Sequence, residues 1–289
     1  MRIERPGWRA TVQDRGRVGR ARDGIPPSGP ADPAAFDAAL RLVGCGADAA
    51  AIEVIGLPFT FRCDGLRVIA ATGRDVRVRT RTRAPGWTSV LVRPGEEVVI
   101  EGTDRTRYGY VAVSGGLDLE PVLGSRATYL SAGIGPIPRP LVAGDQLPLG
   151  PSHAGMDAAG SRASPPRYDR VVRAVPGPHD RRFAATSIER LFSAEFVVLA
   201  ESDRMGVRLG GAGIEPPPGD LLSAGIVAGA IQIPRGGGPI VLLADHQTTG
   251  GYPIIATVIA ADLGIVAQRA PGETLRFERV TPEDAARST

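Results

Sequence analysis

Short runs of strand-forming residues, separated by turn residues, recur along this sequence and restrict the fold that it can adopt. The runs are apolar throughout or alternate apolar with polar residues, as is typical of buried and half-buried strands. They occupy residues 66–72, 89–93, 97–101, 108–114, 171–175, 195–201, 232–234, 240–244 and 275–280. We therefore expect both halves of the chain to be mainly β, in closed or nearly closed barrels.

Helices are predicted at only three places. Asp32 is the expected N-cap of the first, with Pro33 as its first residue and an end by Gly44. A capping box that begins at Thr186 predicts a second, short helix. The third is expected to begin at Pro253, because apolar residues follow it at helical spacing.

The length of the chain and one irregular segment predict two domains. At 289 residues with 43% hydrophobic content, the chain can bury a large core and is long enough for about two domains. Gly, Pro, Ser and Ala dominate residues 151–166, where no apolar period is visible, so this segment is the predicted linker. We predict an N-terminal domain over 1–150 and a C-terminal domain over 167–289. A Gly-acid turn before a strand recurs at 95–96, 144–145 and 272–273, either through duplication or because such turns are common.

The sequence shows no targeting or membrane segment, so a cytoplasmic location is expected. The first residues lack an apolar signal core, and the stretch 254–261 is far shorter than the ~18 residues of a membrane span. Cys45 and Cys63 are the two cysteines, so free thiols are expected rather than a disulfide framework.

All 34 basic residues are arginine, and lysine does not occur. The chain therefore cannot contain a P-loop lysine, a Schiff-base amine or the Ser-Ser-Lys triad of an amidase. A net charge of +3 gives no reason to expect nucleic-acid binding. Arg77, Arg79, Arg81 and Arg83 alternate with other residues and are expected on one exposed face of a strand. With three histidines, none at ligand spacing, and no CxxC or Gly-x-Ser-x-Gly, neither a metal site nor a serine hydrolase is expected.

Residues 239–253 have the composition of a polar site built partly from backbone. A buried strand over 239–244 leads into a polar run and then two glycines: Asp245, His246, Gln247, Thr248, Thr249, Gly250, Gly251 and Tyr252. The helix predicted from Pro253 would direct its free N–H groups at Gly250 and Gly251. Such N–H groups attract anions, so we expect an anion site there.

Within that segment, Asp245 is the candidate catalytic residue. A carboxylate at the end of a buried strand can act as a base or orient an amide, although it can also cap a turn. His246 is expected to be exposed. Gln247, Thr248 and Thr249 can hydrogen-bond a lactam or ureido group, or cap the following helix; Tyr252 is either a wall of the site or a core residue.

Two arginines and a glutamine elsewhere are further candidates for substrate or anion binding. Arg204 and Arg208 carry guanidinium forks that match carboxylate or phosphoryl oxygens, and nearby glycines favour a loop there. The alternative for these two arginines is a structural salt bridge to Asp203 or Glu201. Gln232 lies between two isoleucines of an apolar strand, so it faces a polar cleft or solvent.

Six blocks of residues, in order, resemble one known family. They are the Asp-x-Gln-Thr-x-Gly-Gly-Tyr-Pro segment at 245–253 and the segments 11–17, 28–32, 124–129, 202–209 and 229–234. They are similar to the carboxyltransferase-related family that contains the C component of 5-oxoprolinase (KipA-like proteins) and the matching half of the urea carboxylase carboxyltransferase domain. The resemblance implies two cyclophilin-like β-barrel domains. Asp14, Arg15 and Ser28 lie in these blocks and, with Glu53, are weaker site candidates.

The resemblance also implies a function. It implies the C component of an ATP-dependent 5-oxoprolinase, which with the KipI-type B component activates 5-oxoproline by phosphorylation, while the A component completes ring opening to glutamate. ATP, with Mg²⁺ shared with the partner protein, is the expected cofactor. Its phosphates would be held by arginines, backbone N–H groups or the partner. The chain alone is expected to be inactive.

Two other functions stay open. One is the carboxyltransferase component of a urea-carboxylase or allophanate-type system, with biotin carried on another protein, since no attachment lysine exists here. The other is a KipA-like regulatory protein that antagonises a kinase inhibitor. Members of the family are also labelled allophanate hydrolase subunit 2, but a chain without lysine cannot be an amidase of the Ser-Ser-Lys type. No nucleic-acid or membrane partner is expected.

Overall fold

The structure, a computed structural model, describes residues 1–152 and 158–287. Strands dominate and the α-helices are short, so the mainly β prediction is confirmed. The chain divides into two compact units, residues 1–17 with 28–166 and residues 18–27 with 167–289. The predicted boundaries at 150 and 167 stay a prediction. Part of the predicted linker, residues 153–157 with His153, lies outside the described residues.

The described residues of the first unit form two antiparallel five-stranded sheets and one α-helix, α1 (Pro33–Leu42). Its strands are β1 (Arg2–Arg5), β2 (Arg9–Gln13), β3 (Ala51–Ile55), β4 (Phe59–Arg62), β5 (Arg67–Gly73), β6 (Arg77–Arg79), β7 (Arg83–Pro85), β8 (Thr88–Val92), β9 (Glu97–Glu101) and β10 (Gly109–Val113). One sheet has the order β1-β4-β9-β6-β7 and the other β2-β3-β10-β5-β8. Apolar side chains from both sheets, among them Phe59, Phe61, Ile52 and Ile69, form one core.

Helix α1 forms as the sequence predicts. Asp32 accepts a hydrogen bond from the N–H of Ala35 at 3.1 Å, which satisfies one donor of the first turn. Pro33 is the first helical residue, where its missing N–H costs no hydrogen bond. The helix packs its buried face on β5 and β10.

The arginine run at 77–83 is not one strand as predicted, although Arg77, Arg81 and Arg83 are exposed as expected. The chain turns back at residues 80–82, where the N–H of Thr80 donates to the carbonyl of Thr82 at 2.8 Å. Arg79 therefore lies opposite Arg83 in the hairpin of β6 and β7. The same alternation of residues continues through a tight turn, and alternation alone does not reveal where a strand ends.

The second unit is a closed barrel with a small separate ribbon. Its strands are β11 (Val171–Pro176), β12 (Phe196–Val198), β13 (Gly206–Gly211), β14 (Ala224–Gly225), β15 (Ala230–Gln232), β16 (Ile240–Leu242), β17 (Thr249–Gly250), β18 (Ile254–Val258) and β19 (Thr274–Arg279). Its helices are α2 (Ala185–Ser193), α3 (Leu263–Ala267) and α4 (Pro282–Ala286). The barrel order is β11-β18-β15-β16-β13-β12-β19, closed by the parallel pair β11 and β19. β14 and β17 form the ribbon.

Three predictions for the second unit are corrected. No helix begins at Pro253, because β18 starts at Ile254 and pairs with both β11 and β15. Cross-strand pairing on two sides, with β-branched residues, outweighs the helical spacing. The loop expected around Arg208 is strand β13. Helix α2 exists, but its N-cap is Ala184 with no side-chain cap, so the capping box at Thr186 is wrong.

None of the helices in the described ranges combines the length and the apolar character that a membrane crossing requires.

Candidate functional site

A groove of about 720 Å³ opens on the second unit. One wall is the proline-rich loop 216–221, and the other is formed by Gln247 and residues 251–253. Ile233 and Arg235, which follow β15, complete the lining. The groove thus contains three residues predicted from the sequence, Gln247, Gly251 and Tyr252.

Hydrogen bonds hold the groove segment at both ends. Ribbon strand β17 pairs with β14, and the N–H of Ile226 donates to the carbonyl of Thr248 at 3.1 Å. At the other end the carbonyl of Pro253 accepts from the N–H of Ile233 at 2.9 Å. The N–H of Ile254 donates to His179 Nδ1 at 3.1 Å, so the ring must carry its proton on Nε2 when neutral. These hydrogen bonds therefore fix the backbone on both sides of the groove segment.

The charged groups of the groove lie at its surface. Arg235 Nη2 and Asp220 Oδ1 are 2.8 Å apart, and both side chains are almost fully exposed, at 89% and 87%. Water screens such a pair, so it contributes little to stability and its guanidinium can turn to a ligand. Tyr252 is half exposed. The groove can thus offer a guanidinium, an aromatic face and a neutral carboxamide to a small polar ligand.

Arg204 and Asp245 form a buried ion pair with each other. Arg204 Nε donates to Asp245 Oδ2 at 2.7 Å and Nη2 donates to Oδ1 at 2.9 Å. The backbone N–H of Asp245 also donates to the carbonyl of Arg204 at 2.9 Å. Asp245 is the predicted base, and Arg204 is a predicted anion-binding residue. The pair thus occupies both carboxylate oxygens of Asp245 and two donors of the Arg204 guanidinium. The pair joins the turn before β13 to the turn after β16. Their catalytic and binding roles stay predictions.

Arg208 and His246 differ from what the sequence indicates. Arg208 is exposed on β13, whereas Arg204 is buried. The salt-bridge partner of Arg204 in this contact is Asp245; Asp203 instead accepts from the N–H of Met205 at 2.8 Å. His246 is only 5% exposed, so the expected exposure is wrong. Its Nδ1 lies 2.7 Å from the carbonyl oxygen of Gln247, which holds the ring against its own turn.

The two glycines lack the helix N-terminus on which the predicted anion site depends, and their binding role stays a prediction. Neither Gly250 nor Gly251 has a positive φ, and strand β18 rather than a helix begins after Pro253. The absence of a side chain matters at Gly250, where a Cβ would lie 3.1 Å from Gln232 Nε2. At Gly251 the nearest atom would be 3.5 Å away, which is an ordinary contact. Thr248 is half-buried and Thr249 exposed.

The weaker candidates lie in the first unit and hold loops together. Asp14 accepts hydrogen bonds from Ser125 Oγ at 2.6 Å and from the backbone N–H groups of Gly16 and Arg126 at 2.9 Å and 2.5 Å. Arg15 is exposed and pairs with Asp37 at 3.1 Å. The hydrogen bonds of Asp14 thus join the blocks 11–17 and 124–129.

A second buried cluster in the first unit contains Glu53. Its Oε2 accepts from the N–H of Ala31 and from the hydroxyl of Tyr110, both at 2.9 Å. Burial, and then the carboxyl of Glu53, raise the pKa of Tyr110 well above its ordinary value, so the phenol stays a donor. Ser28 is buried and has a φ of 57°.

Sequence reasoning missed several residues of the two units. Arg235 follows a short strand and Asp220 follows a proline run, so neither residue stands out in the sequence. Only the structure shows that their side chains meet across the groove. From the sequence, His179 is considered only as a metal ligand, and its spacing from other histidines does not support that role. Within the described ranges, no group of three or more His, Cys, Asp or Glu side chains could hold a metal ion. Arg17 is 1% exposed and donates to the carbonyls of Val122 and Ala127.

Comparison with known proteins identifies the family. Residues 23–279 match the family described as carboxyltransferase domain, subdomain A and B. The chain is 36% identical over its whole length to the C component of 5-oxoprolinase from Escherichia coli, covering 94% of that protein. It is 38% identical over 96% of its length to the C component of 5-oxoprolinase from Haemophilus influenzae, covering 91% of that protein.

More distant similarity extends to larger proteins. Urea amidolyase of Saccharomyces cerevisiae is 30% identical over 99% of the chain, which spans 17% of that protein. The solved structure of TTHA0988 superposes with a TM-score of 0.87 at 33% identity, covering 96% of this chain and 54% of that one. This chain thus spans about half of the solved chain. The resemblance predicted from the six blocks is confirmed, and the chain belongs to the carboxyltransferase domain family, subdomains A and B.

Proposed function

We propose that this chain is the C component of an ATP-dependent 5-oxoprolinase. In this proposal it acts with the KipI-type B component to activate 5-oxoproline, and a separate A component completes ring opening to glutamate. The observation that carries the proposal is the match over nearly the full length of two proteins that bear the name of the 5-oxoprolinase C component, at 36% and 38% identity.

The groove of the second unit supports a small amide as its ligand. 5-Oxoproline carries a lactam and a carboxylate. The Arg235 guanidinium can form two parallel hydrogen bonds to a carboxylate, and Gln247 can donate to or accept from an amide. The half-exposed ring of Tyr252 gives the apolar part of the ring a surface to pack on.

The described groove offers few groups to a triphosphate. Its lining contains a single guanidinium, that of Arg235, and strand β18 follows the glycine segment in place of the helix N-terminus that would hold phosphate oxygens. ATP supplies the phosphoryl group that activates the lactam. In our proposal its phosphates and Mg²⁺ are held by the KipI-type partner, while this chain binds and orients the amide.

Reconstitution tests the proposal. The full chain is co-expressed with the KipI-type B component and the A component, and ADP and glutamate are measured with 5-oxoproline, urea or biotin as the added compound. We expect ADP and glutamate to form in step only with 5-oxoproline, and only when all three proteins are present. ADP formation without glutamate, or with urea alone, would contradict the assignment.

The second candidate is carboxyl transfer to a small amide. The family name and the 30% identity to a urea amidolyase favour it. It needs carboxybiotin delivered by another protein, because this chain has no lysine to carry biotin. Transfer of the carboxyl group from free carboxybiotin to urea, measured as biotin and carboxylated urea that form in equal amounts only with the chain present, would support this candidate.

A further inference from the structure

Two glutamine carboxamides lie beside Gly250 in the second unit. A Cβ added to Gly250 would lie 3.1 Å from Gln232 Nε2, 3.5 Å from Gln247 Nε2 and 3.4 Å from Ile226 Cδ1. The space that a side chain would fill is thus bordered by two amide nitrogens and a methyl group. Gly250 is half-buried, between the covered Gln232 and the exposed Gln247.

Gln232 is the unusual member of this group. Its side chain is 2% exposed, and within residues 1–152 and 158–287 its Nε2 has no hydrogen-bond partner. Leaving a buried amide N–H without an acceptor destabilises the folded state. Buried polar groups are nearly always paired, so an orphan beside a groove indicates a missing acceptor.

We propose that Gln232 and Gln247 both donate to the carbonyl oxygen of a planar amide ligand that enters over Gly250. This inference rests on the proposed function, because it assigns the lactam of 5-oxoproline to this position. The carboxylate of the same ligand then lies toward Arg235, which lines the same groove as Gln247.

The chemistry of this subsite follows from its donors. Two N–H groups at one oxygen hold the amide plane and stabilise negative charge on that oxygen. Ile226 supplies an apolar contact for ring methylene groups. A lactam or a urea satisfies both donors, whereas a cyclic amine without a carbonyl satisfies neither.

The first test replaces the orphan donor. Gln232→Met keeps the length of the side chain and removes the unpaired N–H. We expect the melting temperature to rise by about 2–4 °C, while affinity for 5-oxoproline and for 2-pyrrolidinone falls at least tenfold. Both are measured on the full chain assembled with the KipI-type partner, by calorimetric titration and thermal melting.

The second test fills the space. Gly250→Ala places a methyl group against Gln232 Nε2 and is expected to weaken both ligands at least tenfold. Gly225→Ala, in the other strand of the same ribbon, is the matched control, since its Cβ would meet no atom within 4 Å, and it should bind normally. Normal binding by Gly250→Ala would overturn the subsite.

The outcomes separate this inference from the proposed function. If Gln232→Met lowers the melting temperature and leaves binding and 5-oxoproline turnover unchanged, a water satisfies Gln232 and the subsite is overturned, while the function stands. If the wild-type complex binds urea but not 5-oxoproline, and both variants lose urea, the subsite is supported and the 5-oxoprolinase assignment is overturned.

Discussion

For single residues, the structure changes the interpretation of Arg204 and Asp245, because the two side chains form a buried ion pair with each other. Sequence favours a ligand-binding arginine and a catalytic acid. The structure pairs them, and a buried pair is costly to break because one charge is left without a partner.

We therefore expect Arg204→Ala and Arg204→Lys to lower the free energy of unfolding, the first by about 3–5 kcal/mol. The lysine variant should fall in the same direction, because one ammonium cannot reproduce two parallel hydrogen bonds. Urea denaturation measures both. Arg208→Ala, at an exposed position, is the control and should change stability by less than about 0.5 kcal/mol. Stable Arg204 variants that lose turnover would instead assign that arginine to the ligand.

Replacing Arg235, in contrast to Arg204, should weaken ligand binding and leave stability unchanged. Its pair with Asp220 is exposed, so Arg235→Ala should leave the melting temperature unchanged. Affinity for 5-oxoproline should fall about tenfold, while affinity for 2-pyrrolidinone, which lacks the carboxylate, should stay constant. Titration calorimetry of both ligands distinguishes the two effects. An equal loss for both ligands would remove the carboxylate from this position.

Cys63 gives a pH dependence. Burial raises the pKa of its thiol from 9.0 to about 11, so the folded state keeps the proton that the unfolded state has lost. The stabilising contribution is complete below pH 9 and is lost as the pH rises toward 11. Cys63→Ala should therefore show a smaller decline of stability across this interval. An unchanged decline would assign it to other groups, such as Tyr110.

Secondary-structure elements are predictable where a local signal decides them. The cap at Asp32 and the apolar run at 240–244 predict α1 and β16 because side chains near in sequence determine both. The sequence wrongly favours a helix at β18 and a loop at β13, since partners distant in sequence decide those strands. The candidate site is predictable as a segment, through Gln247 and Tyr252. Its groove is not, because the opposite wall comes from residues 216–221.

The close approach of β13 and β16 gives a test at this scale. A Cβ at Gly206 would lie 3.0 Å from both the carbonyl oxygen of Val241 and Ile240 Cγ2. Gly206→Ala should lower the free energy of unfolding by about 1–3 kcal/mol, because the strands would have to separate. Gly213→Ala has no atom within 4 Å of the new Cβ and should be neutral. Equal stability of the two variants in urea would show that the strands accommodate the methyl group.

For the whole molecule, the central claim is that this chain is one component of an enzyme. Each unit has its own β structure, and the groove of the second unit offers hydrogen-bonding groups to a small polar ligand. We expect the purified chain to form a stable complex with a KipI-type protein and to be inactive without it.

The most direct measurement is 5-oxoproline-dependent ADP release, followed together with glutamate, by the A and B components with and without this chain. We predict that both products appear at equal rates when the chain is present and that both fall to background when it is omitted. Products formed without it, or by the isolated chain, would contradict the account.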